Sequence, residues 1–301
     1  MSATQPETLL ESLFFVTVRI EAILPGGAVS TGTGFLYSVP TNQGDAFFVV
    51  TNKHVIAGGT SVTIFFLKAD LNGAPVLGEV QPLTFNGFGP ENYYGHPDEK
   101  IDVAVIAVSG MLAAMQTTGN PAFVRTIGSN IVPTLDQLNE LDAIEDIRFI
   151  GYPSGLYDTE NYLPVVRRGT TASYLQHDYE GRPTFLIDAS VFPGSSGSPV
   201  LIADVNGYAD KRGNTFLGSS RVMLLGIIAE VKQAPRTGRL EVLTAATITP
   251  VMAENLDLGI VFKARTIDEC VDALFQHHGI TRTDISAASE PTAAEVADKP
   301  A

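Results

Sequence analysis

Three short segments of the chain carry side chains that could act as acid, base or nucleophile. The first contains His54, in Thr51-Asn52-Lys53-His54, directly after the apolar run 47–50. This position presents a polar ring at the rim of a sheet. Such a histidine is either a loop residue held by hydrogen bonds or a base that works near neutral pH. The other histidines of the chain are His96, His177, His277 and His278.

The second segment contains Asp102, which precedes the strongly apolar run 103–108. A carboxylate at the start of a buried strand needs a partner, so it either caps a helix or turn or accepts a hydrogen bond from a histidine Nδ1–H and so holds the tautomer of the ring. Asp98 is an alternative, four residues earlier. We favour Asp102 because Asp98 belongs to the polar loop 95–100, which should be solvated.

The third segment is Gly194-Ser195-Ser196-Gly197-Ser198-Pro199. Its glycines permit positive φ, so the N–H groups of Gly194 and Ser196 could converge on one point as an oxyanion hole. The same residue types are also typical of an ordinary turn. The spacing differs from the nucleophile elbow G-x-S-x-G, because Ser198 replaces its second glycine, which disfavours an α/β-hydrolase esterase.

The elements that must position these residues have the pattern of an all-β protein. From Leu13 to Leu24 the side chains alternate between apolar and polar, as in a half-buried strand. Similar short segments, separated by Gly, Pro, Asn and Asp, occupy 34–37, 46–51, 61–67, 101–108, 147–150, 184–189, 199–202, 222–231 and 241–248. Without a strand and helix alternation, we expect closed antiparallel barrels or a sandwich. The segment 111–135 is the expected connection between two β units.

The end of the chain has a different pattern. Thr266 and Glu269 have the spacing of a capping box, and Ile267, Cys270, Val271, Leu274 and Phe275 share one helical face. Gly279 is the expected stop, so we predict a docked helix over 266–279. Residues 286–301 are rich in Ala, Ser, Pro and acidic residues, which predicts a disordered tail.

Composition excludes several functional classes. The 301 residues include 33 acidic and 19 basic ones, a formal charge of −14, which disfavours binding to nucleic acid. The most apolar run, 222–231, is about half the ~20 residues that a membrane span needs. The start of the chain has no basic residue before Arg19 and no apolar export signal. With a single cysteine, Cys270, these features predict a soluble cytoplasmic protein without membrane contact.

Together, the three segments resemble the trypsin-like serine peptidase superfamily, in its disulfide-free bacterial branch with the HtrA-type and glutamyl endopeptidases. The order is His, Asp, Ser, with separations of 48 and 94 residues. The resemblance covers roughly residues 30 to 250. It rests on the segments 32–36, 51–55, 102–105, 151–155, 194–199 and 225–228.

The resemblance implies two antiparallel six-stranded β-barrels of the chymotrypsin type, followed by the C-terminal helix. These would be residues 12–115 with His54 and Asp102, and residues 128–262 with Ser196. In this family Ser196 would attack a peptide carbonyl, His54 would take its proton, and Asp102 would stabilise the imidazolium. The N–H groups of Gly194 and Ser196 would bind the oxyanion. The implied substrate is a protein or peptide, with no metal or cofactor.

The chain differs from better-known members of this family at the positions that set activation and substrate preference. Ser195 stands where zymogen-type members have an aspartate, so an ion pair with a newly cut N-terminus cannot form. Ser190 would lie at the base of the specificity pocket without a charge, and Ile228 and Val231 would narrow it. The pocket should therefore accept small or medium uncharged side chains. Two other functions stay open on the same residues: a catalytically silent binding or scaffold module, and an esterase-like or self-processing activity.

Overall fold

The computed structural model describes residues 5–237 and 251–283, and the side chains of residues 5–229 and 257–283. The predicted tail at 286–301 lies outside these residues. In the described ranges no helix is long and apolar enough to cross a bilayer.

The first half of the chain folds as a nine-stranded sheet. Its strands are β1 (Thr17–Ile23), β2 (Val29–Thr41), β3 (Gly44–Thr51), β4 (Ser61–Ala69), β5 (Pro75–Asn86), β6 (Tyr94–Gly95), β7 (Ala104–Ala107), β8 (Ala122–Phe123) and β9 (Ile127–Gly128). The spatial order is β5-β4-β1-β2-β3-β7-β6, with β8 beside β4 and β9 beside β2.

This sheet differs from the barrel expected for the first half. No pairing joins β5 to β6 among the described residues, so closure of a first six-stranded barrel is not confirmed. The sheet is also not wholly antiparallel, because β9 runs parallel to β2. The strand expected from Leu13 begins only at Thr17, since Leu13–Phe15 forms a 3-10 helix.

The second half contains one closed six-stranded barrel, in agreement with the expectation. In spatial order its strands are β10 (Asp146–Gly151), β11 (Val165–Thr171), β12 (Thr184–Asp188), β17 (Val251–Lys263), β16 (Arg221–Thr237) and β13 (Pro199–Asp204). All of its pairs are antiparallel. A separate hairpin is formed by β14 (Gly207–Ala209) and β15 (Thr215–Leu217).

Five α-helices accompany the strands in the described residues. They are α1 (Leu9–Ser12), α2 (Lys53–Ile56), α3 (Ser109–Thr117), α4 (Leu135–Glu140) and α5 (Arg265–His278). Further 3-10 turns lie at Ser129–Ile131, Pro153–Gly155 and Tyr179–Gly181.

Helix α5 confirms the predicted C-terminal helix but not its predicted capping box. The helix begins at Arg265, and Thr266 donates its hydroxyl to the carbonyl of Lys263 instead of capping the N-terminus. Its C-terminus is closed by Gly279 in the left-handed conformation (φ 67°). The apolar face of α5 packs into a core shared by both halves of the molecule, which fixes the halves relative to each other.

Candidate active site

His54 and Asp102 are brought together by the pairing of β3 with β7. His54 lies in α2, which directly follows β3, and Asp102 comes two residues before β7. Because Thr51 pairs with Ala104, the two side chains lie at the same end of neighbouring strands. His54 Nδ1 lies 2.5 Å from Asp102 Oδ2, and the backbone N–H of His54 donates to Asp102 Oδ1 at 3.1 Å.

This contact defines the chemistry of the imidazole. An ionised carboxylate can only accept, so Nδ1 carries the proton and Nε2 is the basic nitrogen. The His54 side chain is 49% exposed and the Asp102 side chain 22% exposed, so the ring is accessible while its anchor is partly sheltered. No hydrogen bond or ion pair joins Asp98 to His54 in the described residues; the Asp98 carboxylate accepts from the Lys100 backbone N–H instead.

Neighbouring residues hold the Asp102 segment against α2. The side-chain amide of Asn52 donates to the Asp102 carbonyl at 2.6 Å. The Lys53 ammonium donates hydrogen bonds to the carbonyls of His96 and Asp98, at 2.8 and 3.0 Å. Both residues immediately precede His54, so one short segment positions the histidine and its carboxylate partner.

Ser196 lies in the loop that enters β13. Its side chain is half-buried, and Oγ donates to the Ala229 carbonyl at 3.2 Å. Within the described residues no hydrogen bond joins Ser196 Oγ to His54. The N–H groups of Gly194 and Ser196 also have no acceptor in this part of the chain. Two neighbouring backbone donors are therefore free to bind an anion.

Glycine is required at two positions of this loop. Gly194 has φ +85°, and a Cβ there would lie 2.7 Å from the Tyr152 carbonyl oxygen. Gly197 has φ +89°, and its Cβ would lie 1.8 Å from the Thr33 carbonyl oxygen. Because no side chain fits at that distance, the loop lies directly against the backbone of the first half.

Thr33 in β2 contacts this loop, and the sequence interpretation gave it no role. The residue is fully buried. Its hydroxyl donates to the Gly194 carbonyl at 2.9 Å and accepts from the Tyr152 N–H at 3.0 Å. Its own N–H donates to the Ser196 carbonyl at 2.9 Å. The glycines on either side of Thr33 do not mark this contact, because Gly32 lies against Val55 and Gly34 against Val49 and Ile20.

Tyr152 also belongs to the surroundings of the loop. Burial raises the pKa of its phenol well above the ordinary value, so the group stays protonated. Two residues later, Ser154 adopts a left-handed conformation (φ 51°) and donates its N–H to the Pro193 carbonyl at 2.5 Å.

The three residues expected to form the specificity pocket differ from one another in their surroundings. Ser190 is half-buried, and its carbonyl accepts from the Arg167 guanidinium. Ile228 is fully buried in the core of the second barrel. The side chain of Val231 lies outside the described residues. Arg167, which was not predicted, also lies over the ring of Phe192, with 5.0 Å from Cζ to the ring centroid.

In the described residues, the side chains of the other histidines make no hydrogen bond to His54, Asp102 or Ser196. His96 is buried and contacts Glu269 of α5 through Nε2 at 3.1 Å. His277 and His278 are exposed at the end of α5. Among the described residues, no group of three His, Cys, Asp or Glu side chains is placed to hold a metal ion.

Comparisons with known proteins identify a family. A family model described as the trypsin-like peptidase domain matches residues 32–207. No curated protein matches the chain.

Three of the solved structures to which the chain is similar are distant from it in sequence. The HtrA-type protease AlgW with tripeptide is 14% identical, with a TM-score of 0.48, over 90% of this chain and 63% of that chain. The chain therefore spans less than two thirds of the length of that protease. HL collagenase is 13% identical, with a TM-score of 0.49, over 93% of this chain and 100% of that chain. The scabies mite inactivated protease paralogue S-I1 is 13% identical, with a TM-score of 0.45, over 91% and 99% of the two chains.

Proposed function

The chain belongs to the trypsin-like peptidase domain family, and we propose that it is a serine endopeptidase that cleaves peptide bonds through an acyl-enzyme. The observation that carries this proposal is the pair of bonds from His54 to Asp102. The carboxylate fixes the tautomer in which Nε2 can accept a proton. This is the arrangement that a general base needs next to a weak nucleophile.

In the proposed mechanism, rotation about the Cα–Cβ bond of Ser196 moves its hydroxyl from the Ala229 carbonyl to His54 Nε2. Such catalytic bonds often form only when substrate is bound. As Oγ attacks the substrate carbonyl, His54 takes the proton and Asp102 stabilises the imidazolium. The N–H groups of Gly194 and Ser196 bind the negative oxygen of the tetrahedral intermediate. His54 then protonates the leaving amine, and water releases the acyl group.

We further propose that residues 12–115 and 128–262 correspond to the two β-barrels of this family, with substrate bound in the cleft between them. His54 and Asp102 come from one half and Ser196 from the other, which supports this location. The single thiol of Cys270 is free and buried, and on that basis we propose a cytoplasmic, reducing location.

For substrate preference, we propose a small or medium uncharged side chain before the scissile bond. Ser190 would be the base of the pocket, and Ile228 and Val231 would narrow it. The guanidinium of Arg167 beside Ser190 adds a reason against Lys or Arg, because two like charges would lie close together. Cleavage of a peptide library, read by mass spectrometry, tests this preference. Dominant cleavage after Lys, Arg or Glu would contradict it, and cleavage after Glu would in addition assign an attractive role to Arg167.

The activity itself is tested with a fluorophosphonate probe and the Ser196→Ala variant. We expect the wild-type protein to be labelled, and Ser196→Ala to lose both labelling and peptide cleavage while it keeps the fold, with only the small loss of stability that the bond to Ala229 accounts for. Ser195→Ala is the matched control, because it removes the neighbouring hydroxyl, which has no hydrogen-bond partner among the described residues. Ser195→Ala should be labelled like the wild type. Equal labelling of Ser196→Ala and the wild type would disprove the assignment.

A catalytically silent binding module is the second candidate. The observation in its favour is the Ser196 hydroxyl, which is bonded to the Ala229 carbonyl and not to His54. A folded wild-type protein that neither reacts with the probe nor cleaves any library peptide would support this alternative.

A further inference from the structure

We propose that Thr33 is a positioning residue of the reaction, through which the first half of the molecule aligns the two oxyanion-binding N–H groups of the second. The inference rests on the proposed function and adds a residue to it. Thr33 does not touch the reacting atoms. It acts through the peptide groups on either side of Ser196.

The direction of each free N–H is set by the carbonyl of the same peptide group. In a trans peptide the C=O and N–H point in opposite directions, so an anchored carbonyl aims its N–H the other way. The Pro193 carbonyl accepts from Ser154 N, which aims the Gly194 N–H. The Ser195 carbonyl accepts from Ser198 N at 3.0 Å, which aims the Ser196 N–H.

Thr33 holds the two other peptide groups of this loop, namely the one that follows Gly194 and the one that follows Ser196. Its hydroxyl donates to the Gly194 carbonyl, and its N–H donates to the Ser196 carbonyl. The residue thus holds the backbone on both sides of the nucleophile. The same hydroxyl accepts from Tyr152 N, so it also fixes the turn whose Ser154 anchors Pro193.

Thr33 is itself held by a hydrogen bond from β3, the strand that leads to His54. The hydroxyl of Thr51, at the end of β3, donates to the Thr33 carbonyl at 2.8 Å. Thr51 comes three residues before His54. One buried chain of hydrogen bonds therefore links the segment with the general base to the loop with the nucleophile.

The threonine side chain suits this task because the bonds need a hydroxyl that both donates and accepts. Valine has nearly the same shape but would leave the Gly194 carbonyl and the Tyr152 N–H unpaired in a buried place. Serine keeps the hydroxyl. The pair Thr33→Val and Thr33→Ser therefore separates the hydrogen bonds from the packing.

The loss of a buried hydrogen bond also lowers stability, so a matched control is needed. Thr171 is buried, and its hydroxyl likewise accepts from one backbone N–H, Glu145 at 2.9 Å, and donates to one carbonyl, Ala143 at 3.4 Å. It lies in β11, and no hydrogen bond joins it to the nucleophile loop in the described residues. Thr171→Val should lower the melting temperature without changing the reaction.

The experiment measures fluorophosphonate labelling at several probe concentrations, which separates the binding constant KI from the rate constant kinact. We expect Thr33→Val to lower kinact about 10- to 100-fold, as a small misplacement of reacting groups does, with KI within about threefold of the wild type. Thr33→Ser and Thr171→Val should keep kinact within about threefold of the wild type.

A kinact of Thr33→Val within threefold of the wild type would overturn the inference. So would an equal loss in Thr171→Val, or a failure of Thr33→Ser to restore the rate. If Thr33→Val does not fold, Thr33→Ala is compared with Thr33→Ser by the same criteria. Absence of labelling in the wild type would instead count against the proposed function.

Discussion

Gly197 is the residue that brings the nucleophile loop into contact with β2. Its φ of +89° and the 1.8 Å that a Cβ would leave to the Thr33 carbonyl are separate reasons for glycine. We expect Gly197→Ala to lower the free energy of unfolding by about 2–5 kcal/mol, from ~1–2 for the left-handed backbone and ~1–3 for the overlap. Urea unfolding followed by circular dichroism measures the change.

Gly213 provides the control for the backbone contribution alone. Its φ is +83°, and no heavy atom lies within 4 Å of a Cβ built there. Gly213→Ala should therefore cost only about 1–2 kcal/mol. An equal loss in both variants would mean that the contact between Gly197 and Thr33 contributes nothing to stability.

The residues that share the site were only partly predictable from the sequence. His54, Asp102 and Ser196 lie in segments whose local pattern already indicates chemistry. Thr33, Tyr152 and Arg167 do not, because their importance depends on contacts with residues far away in the chain. Thr33 and Gly194, for example, are 161 positions apart. Such pairs follow from how the halves pack, which periodicity does not reveal.

At the scale of elements, α5 packs against the first half of the molecule, although it follows the second half in the sequence. The Tyr37 hydroxyl donates to Asp268 at 2.8 Å, and Glu269 contacts His96. The rings of Phe48 and Phe275 lie 5.8 Å apart. The apolar period of α5 predicted its existence and its buried face. The capping prediction was wrong because the chain already turns into helix at Ala264, before the threonine.

Phe275 tests how much α5 contributes to stability. The side chain is 4% exposed, and Phe275→Ala should lower the free energy of unfolding by about 3–5 kcal/mol. For a chain of 301 residues that corresponds to a decrease in melting temperature of roughly 5–8 °C. The exposed neighbour Gln276 is the control, and Gln276→Ala should change the melting temperature little. A wild-type melting temperature for Phe275→Ala would show that α5 is not needed for the fold.

The sheet of the first half shows what strand patterns leave undetermined. Alternation identified strands such as β1 and β4, but the pairing at the sheet edges depends on contacts between distant segments. The two-residue strands β6, β8 and β9 are too short for a periodic signal. Closure of the second barrel is confirmed, whereas that of the first is not.

At the scale of the whole molecule, the two halves share one core. A single cluster of buried side chains includes Val39 of β2, Leu201 of β13 and Ile267 of α5. Backbone and side-chain bonds also cross between the halves, from Gly78 N to the Asn161 carbonyl at 3.0 Å and from Arg19 to the Tyr162 hydroxyl at 3.4 Å.

We therefore expect one cooperative unfolding transition. Calorimetry should give a single peak whose calorimetric and van't Hoff enthalpies agree. The chain has no tryptophan, so tyrosine fluorescence and far-ultraviolet circular dichroism are the second and third probes, and their midpoints should coincide. Two resolved peaks, or different midpoints, would mean that the halves unfold separately.

The position of α5 also affects the order of events at the ribosome. Chains are made at about 5–20 residues per second, and domains commonly fold as they emerge. The last strand of the first half ends at Gly128, whereas the helix that covers its core ends at His278. We therefore expect the first half to wait about 8–30 s, with apolar surface uncovered, until the helix is synthesised. During that interval we expect the nascent chain to be open to chaperones that bind exposed apolar segments.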